Sequence, residues 1–198
     1  MKNKIIIFII LLLIILGVIF IKNEKESVEL PITLSSKYYN TLENDKIKKI
    51  KEEQYNLNKK LNSGEYEGLS ETELEKMQDE IYTKYAEVIN QEIQNKSSFV
   101  IAVMNTYDES CGVVELTVIN YLNYLFVENN MFNYEINLTT FKQTSLYDEV
   151  KYAPTVIIVH KGKILTYLDQ NNNDHIKIYN DEEEFRKWIT KNVKLGKE

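Results

Sequence analysis

The chain has 198 residues, 43% of them hydrophobic, which is enough for one ordinary domain with appendages and a single core. Its net charge of −6, with acidic and basic residues interspersed, argues against nucleic-acid binding, which needs clustered lysine and arginine. One cysteine and two histidines rule out an intramolecular disulfide and an ordinary zinc site, so neither metal nor cofactor is expected.

Residues 5–21 form an uncharged apolar run. As a helix at ~1.5 Å per residue it spans about 25 Å, just enough for a hydrocarbon core. It ends Phe20-Ile21-Lys22-Asn23-Glu24, without a small-x-small cleavage site. Residues 1–22 therefore read as a transmembrane signal anchor, with a cleaved signal or a buried helix as alternatives. Lys2 and Lys4 precede the run, while Lys22, Lys25, Glu24 and Glu26 cancel after it. The positive-inside rule then expects a cytoplasmic N-terminus and a single-pass cell-membrane protein with its domain outside.

Residues 23–39 read as a polar connector with an extended stretch at Pro31. From residue 40, Ile47, Ile50, Leu57 and Leu61 recur at heptad spacing with Gln54 on the same seam. Residues 63–68 break the pattern. Ser70 and Glu73 then form a capping box, followed by Leu74, Met77, Ile81, Tyr85, Val88, Ile89 and Ile93 on one face. The spacing predicts an antiparallel helical hairpin over residues 40–96. It would pack on itself or its own domain, or serve as a docking surface or dimerising coiled coil.

From residue 97 the pattern is that of an α/β domain, taken here as residues 97–198. Residues 99–104 are continuously apolar, as in a strand covered on both faces. Residues 115–129 place Leu116, Ile119, Leu122, Leu125 and Phe126 on one helical stripe. A strand over 134–138, a short helix over 141–150 and a turn at Pro154 follow. Two strands, 156–159 and 164–168, are joined by a hairpin at Lys161-Gly162-Lys163, and a helix over 181–193 closes the chain with Phe185, Trp188, Ile189 and Val193 facing inward. Residues 169–174 begin like a calcium loop but lack glycine at position six and carry Asn180 at position twelve, so they read as a polar loop. His160, at a strand end, reads as a surface residue, and His175 stands alone.

Strand, cysteine, helix, strand, helix, X-Pro-Thr, strand, hairpin, strand and helix is the element order of a thioredoxin domain, which this chain resembles from about residue 97 to 193. The expected fold class is α/β: a thioredoxin-like domain preceded by a transmembrane helix and a helical hairpin. Cys111-Gly112-Val113-Val114 resembles the family's Cys-x-x-Cys, with Cys111 in the attacking place and Val114 in the resolving place. The resemblance implies that Cys111 is the reactive residue, that Gly112 and Val113 line a peptide site, and that Ala153, Pro154 and Thr155 complete it. It also implies a cis Ala153–Pro154 bond, with the backbone of Ala153 pairing with an extended peptide. Valine cannot release a trapped partner, Asp108, Glu109 and Glu115 oppose a thiolate, and residues 99–104 lack the family's buried carboxylate.

Cys111 thus has three readings: an inert thiol, a monothiol in disulfide exchange, or an intermolecular disulfide. The layout is also similar to membrane-anchored thioredoxin-like proteins of Gram-positive bacteria, including those of the bacteriocin-accessory type. Two functions follow from the resemblance. One is monothiol exchange or mixed-disulfide capture with a second thiol in trans. The other is a redox-inactive accessory module holding a partner protein at the membrane, with export as one setting. The partner is a protein or peptide, not a nucleic acid, and a dimer through the hairpin or Cys111 stays open.

Overall fold

The computed structural model describes residues 28–35, 42–63, 68–105, 120–122, 124–126, 134–169 and 171–196. The chain divides into two compact units, residues 1–30 and 31–198, and every element below belongs to the second.

The helical hairpin consists of α1 (Leu42–Ser63) and α2 (Glu71–Gln94). Helix α1 buries Ile47, Ile50 and Leu57, with Gln54 half-buried on the same seam; Leu61 lies outside the described side chains. Helix α2 starts at the capping box: Ser70 Oγ accepts from the Glu73 N–H, and Glu73 Oε2 accepts from the Ser70 N–H at 2.8 Å. Lys84 Nζ meets Glu53 Oε2 at 2.8 Å, while Lys60 and Met77 line one groove, so the helices run antiparallel. Ile81, Tyr85, Val88 and Ile89 are buried, but Met77 at the free end is exposed.

Polar bonds fasten α2 to the domain. Asn90 Oδ1 accepts from the Ser145 N–H at 2.9 Å and Asn90 Nδ2 donates to the Gln143 carbonyl at 3.0 Å. Thr83 Oγ1 donates to Gln143 Oε1 at 2.9 Å.

The main sheet has the order β3-β2-β4-β5. Strand β2 (Phe99–Met104) is buried at every residue, as a central strand covered on both faces must be. It pairs in parallel with β3 (Tyr134–Asn137) and antiparallel with β4 (Thr155–His160), which pairs with β5 (Lys163–Tyr167). Residues 120–122 and 124–126 are helical, and Leu122 and Phe126 are fully buried.

Lys161 and Gly162, with φ of 50° and 74°, make the two-residue turn between β4 and β5. The Gly162 N–H donates to the Ser97 carbonyl at 2.8 Å, and a Cβ there would lie 2.3 Å from the Ile93 oxygen. Only glycine fits. His160 is half-buried rather than a plain surface residue, with Nδ1 3.1 Å from Ser98 Oγ.

Three local expectations are revised by caps. Asn137 ends β3 and caps α3 (Leu138–Phe141), its Oδ1 accepting from the Thr140 N–H at 2.8 Å. The helix expected over 141–150 is therefore this earlier turn plus a 3-10 turn, Ser145–Asp148. Asn172 caps α4 (Asn173–Asn180), so a helix starts within the segment read as a loop. Asp181 separates it from α5 (Glu182–Asn192) and accepts from the Glu183 and Glu184 N–H groups. Helix α5 buries Phe185 and Ile189 and stacks the half-buried Trp188 on Phe185.

The expected fold class needs correction. The architecture is mixed α/β with two sheets, because β1 (Ile32–Ser35) pairs in parallel with β6 (Val193–Gly196). Alternation explains both strands: Ile32, Leu34 and Val193 enter the core while Thr33 and Lys194 face out. Part of the connector and the end of the closing helix are thus strands. Among the described residues the expected transmembrane helix has no counterpart, since none of their helices is long and apolar enough to cross a membrane. The run over residues 5–21 lies outside them.

Candidate functional site at the Ala153–Pro154 turn

The antiparallel register sets Val103 of β2 opposite Thr155 of β4, so the end of β2 and the start of β4 lie side by side. Just before β4 the Ala153–Pro154 bond is cis, as the resemblance implies. Cys111, Gly112 and Val113 lie outside the described residues. The structure therefore brings together Ala153, Pro154 and Thr155 only.

Ala153 and Pro154 are half-buried, and the N–H and C=O of Ala153 have no hydrogen-bond partner among the described residues. Thr155 is 2% exposed, and its hydroxyl donates to the Leu168 carbonyl at 2.8 Å, so it offers no side-chain contact to a partner. Leu168, just past β5, in turn donates its N–H to the Val156 carbonyl at 3.0 Å. These bonds tie the start of β4 to the end of β5.

Residues that the sequence did not single out complete the surroundings. Tyr179 of α4 reaches the Pro154 carbonyl at 3.1 Å and the Leu168 carbonyl at 3.2 Å. Tyr152 lies 3.3 Å from that same Leu168 oxygen and packs edge-on against Tyr167. Burial first, then the charge of Asp169 and a hydrogen bond to it, holds the Tyr152 phenol well above the usual tyrosine range. Tyr152 therefore stays protonated and acts as a donor. The Asp169 N–H donates to His175 Nδ1 at 2.9 Å, and Asp169 Oδ1 accepts from the Asn171 N–H at 2.8 Å. The loop is thereby locked to α4. The usable sequence signal was Asn172, a helix cap that would have put Tyr179 on an inward-facing turn.

Chemically, the turn presents a backbone donor and acceptor that have no hydrogen-bond partner among the described residues. That suits pairing with an extended chain. No cluster of metal-ligating side chains occurs among the described residues. No family model matches the chain, and neither a curated protein nor a solved structure matches it significantly.

Proposed function

We propose that this chain is a thioredoxin-like protein that binds an extended segment of a partner protein at Ala153 and captures it through Cys111 as a mixed disulfide. The observation that carries the reading is that the N–H and C=O of Ala153, at the end of the β2–β4 pair, have no hydrogen-bond partner among the described residues. The element order from β2 onward supports it. In the capture step the Cys111 thiolate attacks one sulfur of a partner disulfide. The partner S–S bond breaks, a Cys111–partner disulfide forms, and the displaced thiolate takes a proton from solvent. With valine at 114, a thiol supplied in trans must complete the exchange. That same valine favours the second reading, a binding module without thiol turnover.

Insulin serves as the test disulfide. The full chain should form a one-to-one adduct on non-reducing gels that Cys111→Ser abolishes, with negligible multiple turnover. Val114→Cys should restore turnover. Absence of any adduct, with Val114→Cys inactive, would leave the binding module alone.

A further inference from the structure

Three hydroxyls converge on the Leu168 carbonyl oxygen: Thr155 at 2.8 Å, Tyr179 at 3.2 Å and Tyr152 at 3.3 Å. A carbonyl has two lone pairs, so two donors satisfy it. Thr155, buried and nearest, fills one place. The two tyrosines compete for the other, and each has an alternative. Tyr152 can turn to the Asp169 carboxylate, and Tyr179 to the Pro154 carbonyl at 3.1 Å.

The alternatives have different consequences. Neither acceptor of Tyr152 is a backbone group of the turn residues 153–155. Tyr179 instead holds the carbonyl that follows the Pro154 Cα. The proline ring already fixes φ at this residue, and a carbonyl tied at 3.1 Å fixes the rotation on the other side of the same Cα. Little freedom is left to the peptide carrying the Ala153 carbonyl. We propose that Tyr179 is a positioning residue, aiming the Ala153 carbonyl at the partner chain. This inference rests on the reading of Ala153 as a partner-pairing edge.

The test uses the full chain and two reagents with one leaving group. One is the peptide Ala-Ala-Cys-Ala-Ala, its cysteine activated as a disulfide with thionitrobenzoate; the other is dithionitrobenzoate. Attack by the Cys111 thiolate joins it to the peptide sulfur, or to one thionitrobenzoate sulfur, and releases coloured thionitrobenzoate in each case. The readout is the ratio of the two rates. Tyr179→Phe should lower that ratio roughly five- to tenfold, the worth of about one hydrogen bond, without changing the dithionitrobenzoate rate. Tyr55→Phe, which removes an exposed hydroxyl from α1, should leave the ratio unchanged.

A peptide N-methylated on both sides of its cysteine separates the failures. If methylation does not slow capture by the unmodified protein, or if Cys111 reacts with neither reagent, the pairing-edge reading falls and this inference with it. If methylation slows capture but Tyr179→Phe behaves like Tyr55→Phe, the edge stands and the positioning role is overturned. A change in the dithionitrobenzoate rate, or loss of folding in Tyr179→Phe, assigns the hydroxyl to the fold at large and overturns it too.

Discussion

The four-stranded and two-stranded sheets feed one hydrophobic core but are held in different ways. Strands β2 and β4 have a ladder on each edge, and almost every side chain on them is buried. Strands β1 and β6 have one ladder of four residue pairs, and alternate residues face solvent. In the first sheet β4 and β5 are joined by a tight turn and β2 reaches β3 and β4 across longer connections, whereas the second sheet joins the two ends of the unit. Isolated two-stranded sheets are marginal in water, so β1–β6 depends on its apolar face. The comparison teaches that sharing a core does not mean sharing its stability equally.

Truncating a central side chain should have the largest effect. Ile157 on β4 is fully buried, and Ile157→Ala should cost about 4 kcal/mol in urea unfolding, within the range for cavities that cannot collapse. Leu34→Ala on β1, equally inaccessible at 2% exposure, should cost about 2–3 kcal/mol because a strand with one open edge can shift inward. Equal losses would break the comparison. A gentler probe is native-state hydrogen exchange. Ladder amides of β2 and β4 should exchange only through global unfolding, whereas those of β1 and β6 should exchange through a local opening of lower free energy. Identical exchange free energies would make the two sheets one cooperative unit.

The same contrast explains what could be read from the sequence. Residues 99–104 announce a doubly covered strand by being continuously apolar, and Lys161-Gly162 announces its turn because few residues tolerate positive φ twice. The Ser70–Glu73 cap is a local pattern with a local outcome. By contrast, Ile32 and Leu34 continue a short alternation that begins at Val28 and Leu30, and only a partner strand from the far end of the chain gives them a place. At the site, Ala153, Pro154 and Thr155 were singled out through the resemblance to a thioredoxin domain, which the proline before an apolar strand suggested. Tyr152, Leu168 and Tyr179 were not. Their roles depend on hydroxyls and a carbonyl that meet only after β5 and α4 have folded back on β4.

The smallest expected effect lies at the start of α2, at its capping box. The Glu73 carboxylate accepts hydrogen bonds from the Ser70 N–H first and the Ser70 hydroxyl second, and these hold its pKa below the usual value. A carboxyl depressed in the folded state binds its proton more readily when unfolded. Its contribution is thus complete above the unfolded value, about 4.3, and disappears as pH falls through the lower folded one. Glu73→Gln keeps an acceptor but removes the charge. The unmodified protein should therefore melt slightly above Glu73→Gln at pH 7, and the gap should close as the medium is acidified below about pH 4. Ser70→Ala, which removes the side-chain cap, should cost about 1 kcal/mol at neutral pH. In hydrogen exchange that loss should appear in the first turn of α2, with the β2 and β4 ladders changed only by the small drop in global stability. A pH-independent gap between the unmodified protein and Glu73→Gln would show that the charge contributes nothing and that Ser70 alone caps the helix.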